Sequence, residues 1–149
     1  MFFEDAVVGA RYELGTVVPA EESIVRFATE FDPQPMHADP AAAAQLRYGG
    51  VIASGWHTAA LTMRLMVDAG VLCGDDAIGM AADEVRWYRP VHAGDALSLT
   101  VEIVGVRPPR EQGRRGRVDA RVQFRGADGT LTFSMKLAVA LALRSTADV

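Results

Sequence analysis

Ser54-Gly55-Trp56-His57-Thr58-Ala59-Ala60-Leu61-Thr62-Met63-Arg64-Leu65-Met66-Val67-Asp68-Ala69-Gly70 decides the fold of this chain. Ser54 and Gly55 open a helix over residues 56–69, and Gly70 stops it. Leu61, Met63, Leu65, Met66 and Val67 spread over several faces and charges are few, so the helix is apolar most of the way round. Such a helix is expected to be buried. The segments after it are suited to cover it. Beyond a Gly- and Asp-rich loop (74–79), β-forming stretches run near residues 82–88, 96–107, 117–125 and 130–143. Ala93-Gly94-Asp95 and Ala127-Asp128-Gly129 supply turns between them, the second a hairpin signal. Upstream, residues 11–18 read as a short strand. Pro19 reads as the first position of a helix to about Glu30, with Ile24, Phe27, Ala28 and Phe31 on one face. A strand, a helix, a buried helix and then a run of antiparallel strands predict an α+β class, with an antiparallel sheet wrapped around one long central helix.

The bulk numbers narrow the function. The chain has 149 residues, 50% hydrophobic and 23% charged, as expected for one globular domain spanning 1–149. A net charge of -4 provides no broad basic field, so nucleic acid is not an expected partner. Cys73 is the single cysteine, which rules out an internal disulfide or a Cys-rich zinc site and suits a reducing compartment. Met1-Phe2-Phe3-Glu4-Asp5 is acidic where a secretory signal needs positive charge, and no stretch approaches a membrane span. The expected location is the cytoplasm, away from the membrane.

Chemistry concentrates between the two helices. Phe31-Asp32-Pro33-Gln34-Pro35-Met36-His37 is followed by Pro40, and prolines so closely spaced predict a rigid loop. Asp39-Pro40 then begins a short helix over residues 41–46, ended by Gly49-Gly50. A carboxylate and an imidazole five residues apart on a stiff loop are able to share one water molecule, as general acid-base chemistry requires. A capping Asp and a hydrogen-bonded structural His fit the same residues. At the start of the central helix, Ser54-Gly55 brings unpaired N–H groups and the positive end of the helix dipole together, which would polarise a carbonyl placed there. Gly55 permits close approach, and Ser54 reads equally as an N-cap. Arg86-Trp87-Tyr88-Arg89-Pro90-Val91, followed by Gly94-Asp95, reads by itself as a strand and its turn.

Together these segments resemble the MaoC-like dehydratase family, which includes the (R)-specific enoyl-CoA hydratases. The family signature Gly-Asp-x-Asn-Pro-(aliphatic)-His is matched by residues 31–37, with its catalytic Asp and His falling on Asp32 and His37. Gly49-Gly50-Val51-Ile52-Ala53-Ser54-Gly55 and Arg89-Pro90-Val91 with Gly94-Asp95 are similar to further family segments, and the resemblance extends over almost the whole chain. Phe31 stands where the pattern has Gly, and Gln34 where it has Asn, so a different pocket width is expected. The resemblance implies a hot-dog fold and a hydro-lyase that adds water to, or removes it from, a 2-enoyl thioester of fatty acid metabolism. It also implies an active site at a homodimer interface, an oxyanion contact from Gly55 with Ser54 near it, and no cofactor other than the coenzyme A of the acyl-CoA substrate. A hot-dog thioesterase and a non-catalytic acyl-CoA-binding subunit share the fold and remain open readings.

Other residues have weaker claims. His57, Phe31 and Trp56 are expected beside the substrate pocket, although a core or interface histidine explains His57 as well. His92 is expected to be solvent-exposed and without a role. Asp32, His37 and Asp39 lack a metal-ligand spacing, so no metal is expected. Met63 and Met66 suit core filling. Arg110, Arg114 and Arg115 lie in a Pro-, Gly- and Arg-rich loop over residues 107–117, expected to be mobile; coenzyme A phosphates or plain solvent would suit them equally. A single helix wrapped by one sheet leaves a strand edge and an apolar face, so a homodimer or higher homo-oligomer is expected.

Overall fold

The computed structural model describes residues 1–74, 76–111 and 113–144. Asp75 and Gln112, within the two expected loops, and residues 145–149 lie outside the described residues. Five strands form one antiparallel sheet: β1 (Arg11–Val17), β2 (Ile78–Trp87), β3 (Leu97–Arg107), β4 (Arg115–Gly126) and β5 (Leu131–Ala142), in the order β1-β3-β4-β5-β2. Two hairpins make its centre. The turn between β4 and β5 is the expected one: Gly129 adopts φ 76°, and Asp128 accepts the Thr130 N–H at 2.9 Å. β2 passes beyond β5 to the edge, so the segment from Tyr88 to Ala96 crosses from one side of the sheet to the other.

Alternation sorts the side chains of the central strands. Val118, Ala120, Val122 and Phe124 of β4 are fully buried against Leu97, Leu99, Val101 and Ile103 of β3 and Phe133 and Leu141 of β5. Between them Arg117, Asp119, Arg121 and Gln123 face outward, where Arg121 reaches Glu102 at 2.8 Å and Lys136 reaches Glu84 at 2.5 Å. Such partly exposed pairs add little stability compared with the core.

The central helix, α4 (Gly55–Ala69), begins and ends as its sequence dictates: the Ser54 hydroxyl accepts the Trp56 N–H, and Gly70 closes the last turn at φ 65°. The expectation of burial on most sides needs correction. One chain covers only one face, carrying His57, Thr58, Thr62 and Met66, whereas Trp56, Met63 and Val67 are 63%, 46% and 54% exposed. A single sheet packs against one side of a helix, and the remaining apolar surface lies open in the monomer. The hot-dog arrangement otherwise stands as expected, and no described helix is long and apolar enough to cross a membrane.

Smaller corrections concern the segment before α4. α1 (Glu21–Phe31) has Ala20 as its N-cap, so Pro19 precedes the helix instead of opening it; Ile24 and Ala28 are buried, and Phe31 is not. The proline-spaced loop contains one helical turn, α2 (Pro35–Ala38), because proline is tolerated at the first position of a helix. α3 (Pro40–Ala43) starts as expected, with Asp39 accepting the N–H groups of Ala41 and Ala42, but ends three residues early. His92 is half-buried: its ring bonds the Tyr48 carbonyl at 3.1 Å and its backbone bridges to Ile52. Truncating Phe124, which has no exposed surface, to alanine is expected to cost about 3–5 kcal/mol of folding stability, read from urea denaturation.

Candidate active site

Pro33 fixes the position of Asp32. A residue before proline is driven out of the helical region, and proline has no N–H to extend the helix. α1 therefore ends at Phe31, and Asp32 becomes its C-cap, with φ −154° and its N–H still bonded to the Ala28 carbonyl at 2.8 Å. One short turn later α2 presents His37, which is 6% exposed. Residues 51–53 run alongside: the Ile52 N–H donates to Met36 O at 3.1 Å and the Ala53 N–H to Val91 O at 2.7 Å. This strap ties the proline loop to the start of α4.

Three hydrogen bonds set the chemistry. The Ser54 hydroxyl donates to Asp32 Oδ2 at 2.6 Å, and the Gln34 side-chain amide donates to Asp32 Oδ1 at 2.7 Å. The Ser54 bond foremost, then the Gln34 bond, hold the Asp32 carboxyl below its ordinary value, against the opposing effect of burial. Asp32 is therefore a carboxylate at neutral pH. The third bond joins His37 Nδ1 to the Ile52 carbonyl at 2.7 Å. A carbonyl only accepts, so Nδ1 carries the hydrogen and a neutral His37 has its lone pair on Nε2. That Nε2 lies 3.7 Å from Asp32 Oδ2, too far for a direct bond yet close enough for both to hold one water.

His37, Gly55 and Thr58 line a cavity of about 330 Å³ together with Tyr48, Trp87, Tyr88 and Arg89. Gly55 begins α4, and its N–H has no partner among the described residues. The Trp87 indole closes over this end: Nε1 donates to the Gly55 carbonyl at 2.8 Å, and a Cβ on Gly55 would stand 2.8 Å from the ring. Glycine is required here by close approach.

The structure thus brings Asp32, His37, Ser54 and Gly55 together. Ser54 is fully buried and its hydroxyl is committed to Asp32 and the Trp56 N–H, so it positions the carboxylate and leaves the carbonyl contact to Gly55. Phe31 and Trp56 are 65% and 63% exposed and do not line the cavity. His57 lies under α1, stacked on Phe27 at 4.8 Å between ring centroids, and burial lowers its pKa. Sequence reasoning missed Trp87, whose signal was an aromatic residue at a strand end. It also missed the positioning role of Gln34, which was visible only as a departure from a motif. Among the described residues no group of three or more His, Cys, Asp or Glu side chains is placed to hold a metal.

Ser54→Ala is expected to return the Asp32 carboxyl toward its ordinary pKa, seen as an upward shift in its 13C NMR titration. Ionised Asp32 contributes stability above its unfolded-state pKa, and that contribution is lost as pH falls through its lower folded-state value. The variant should lose part of this pH-dependent stability in addition to about 1 kcal/mol from the missing cap. Gly55→Ala is expected to displace the indole and break its bond, with a loss of about 1–3 kcal/mol and a shift in tryptophan fluorescence.

Comparison with known proteins places the chain in a family. The MaoC like domain matches residues 5–123. The uncharacterized protein YdeM of Bacillus subtilis is 34% identical over 113 residues, which cover 75% of this chain and 79% of YdeM. The crystal structure of the MaoC-like dehydratase from Rhodospirillum rubrum superposes with a TM-score of 0.86 at 34% identity, covering 97% of this chain and 99% of that one. The R-hydratase PhaJ1 from Pseudomonas aeruginosa, in unliganded form, superposes with a TM-score of 0.80 at 26% identity, covering 96% and 86% of the two chains. This chain belongs to the MaoC-like domain family.

Proposed function

We propose that the protein is a hydratase/dehydratase that adds water across, or removes it from, the 2-enoyl double bond of an acyl-CoA thioester. The observation that carries this reading is the pairing of a buried imidazole, its bare Nε2 fixed by the Ile52 carbonyl, with a carboxylate 3.7 Å away. Membership of a family that includes a MaoC-like dehydratase, and the likeness to an R-hydratase, support it.

In the hydration direction, a water held by Asp32 Oδ2 and His37 Nε2 gives its proton to Nε2 as its oxygen adds to C3. The double-bond electrons pass to C2 and the thioester carbonyl. The Gly55 N–H and the dipole of α4 stabilise the oxygen that gains negative charge. The imidazolium then returns a proton to C2, and dehydration reverses each step. Asp32 stays ionised throughout: its two donors make it a poor acid, and its charge supports the imidazolium. Water adds as OH to C3 and H to C2 with no net oxidation or reduction, so the reaction calls for no cofactor beyond the coenzyme A that the substrate carries.

The same reading includes a cytoplasmic homodimer. β2 is an edge strand with Ile78 and Met80 49% and 54% exposed, and Trp56, Met63 and Val67 of α4 form a second open apolar surface that a second copy would cover. Light scattering should give twice the monomer mass at micromolar concentration.

Asp32→Asn and His37→Gln are each expected to lower kcat for crotonyl-CoA hydration by at least about 100-fold, followed by loss of enoyl thioester absorbance. Unchanged turnover in either variant would overturn the assignment. Release of free thiol from the wild type without hydration would identify a thioesterase instead.

A further inference from the structure

Tyr48 lines the cleft that holds His37, and little holds Tyr48 in place. It belongs to residues 45–50, between α3 and the strap at residues 51–53. Among the described residues, the backbone bonds of this segment stay local: the Gln45 N–H donates to the Ala42 carbonyl, that of Leu46 to Ala43 and that of Gly49 to Leu46. Gly49, at φ 70°, and Gly50 follow Tyr48, so no side chain stiffens the backbone that leads away from it. Arg47 donates to the Tyr48 hydroxyl at 2.6 Å and stacks over its ring, but it lies on the same segment. Among the described residues, one hydrogen bond ties the segment to a distant part of the chain, from His92 Nε2 to the Tyr48 carbonyl at 3.1 Å.

The surroundings of His92 aim it at that carbonyl. It follows Val91, which also lines the cleft and whose own carbonyl accepts the Ala53 N–H of the strap. Its backbone N–H donates to Asp95 Oδ2 at 2.8 Å, and it bridges to Ile52, the residue whose carbonyl orients His37. A carbonyl only accepts, so Nε2 carries the hydrogen. Nδ1 stands 3.8 Å from Asp95 Oδ2, beyond hydrogen-bond reach, which leaves the bond to Tyr48 as the one the ring makes among the described residues.

We infer that His92 is a positioning residue: it latches residues 45–50 so that Tyr48 forms the wall against which the acyl group packs next to C3. The inference rests on the proposed hydratase reading, in which His37 holds water beside C3, so the carbon attached to C3 meets the rest of the same lining. Tyr48, Ile52, Trp87 and Val91 give that lining its apolar character. Without the latch the wall is free to swing, and each binding event must order it, a cost that falls on KM and leaves kcat in place.

The test compares full-length His92→Phe, which keeps a ring and loses the donor, with His92→Gln, whose side-chain amide restores a donor at similar reach. His92→Phe is expected to raise KM for crotonyl-CoA about fivefold, with kcat within about twofold of the wild type, and His92→Gln to restore most of the loss. In a Tyr48→Leu background, where the wall is already gone, His92→Phe should raise KM no further. An unchanged KM would overturn the inference. So would a matching fall in kcat, equal damage from His92→Gln, or additive effects with Tyr48→Leu. Limited trypsin digestion reads the latch without turnover: cleavage after the exposed Arg47 should quicken about fivefold in His92→Phe but not in His92→Gln, with cleavage elsewhere in the chain unchanged. Unchanged or uniformly faster cleavage would refute the latch. Selective cleavage in a protein that hydrates no enoyl thioester would overturn the hydratase reading, and with it the acyl role of the wall, while establishing the latch itself.

Discussion

The Ser54 hydroxyl accepts the Trp56 N–H at the start of α4 and gives its own proton to Asp32 at 2.6 Å. Asp32 is at the same time the C-cap of α1, so one oxygen joins the end of one helix to the beginning of the next. A hydroxyl has a single proton to donate, and donating it to Asp32 favours the ionised carboxylate. Gln34 adds a second donor from the proline loop. A carboxylate so held is suited to orient water and support a neighbouring cation.

The second constraint is the sheet's one-sidedness. Five strands cover the face of α4 that carries Thr58, Thr62 and Met66 and leave Trp56, Met63 and Val67 open. The unpaired edge of β2 ends at Trp87, which also walls the cavity beside Gly55. The boundary of the fold and the boundary of the candidate site therefore coincide. The surfaces that one chain leaves uncovered lie where a substrate would enter, which is why assembly and catalysis belong to one reading of this molecule.

Much of this architecture is written locally. The caps of α4, the Gly129 turn and the alternation of β4 follow from residue type and spacing, and the strands lie within a few residues of their expected places. The departures also have local causes. Pro35 opens a helical turn that a rule against proline in helices overlooks, and Pro33 halts α1 at the point that makes Asp32 a cap. Asp32 and His37 were legible as a pair because five residues of proline-stiffened chain keep them close whatever the rest of the fold does.

What the sequence by itself determined is therefore the class of fold, the two ends of α4, the hairpins and the closeness of Asp32 to His37, all governed by short-range sterics and periodicity. The tertiary structure alone decided that Ser54 serves Asp32, that the Ile52 carbonyl selects the tautomer of His37, and that Trp87 closes over Gly55. It also decided that half of an apolar helix stays uncovered. These contacts join residues 15, 22 and 32 positions apart. Hydrogen-bond direction and burial at such separations depend on how the elements pack, a property that no local pattern of residues encodes.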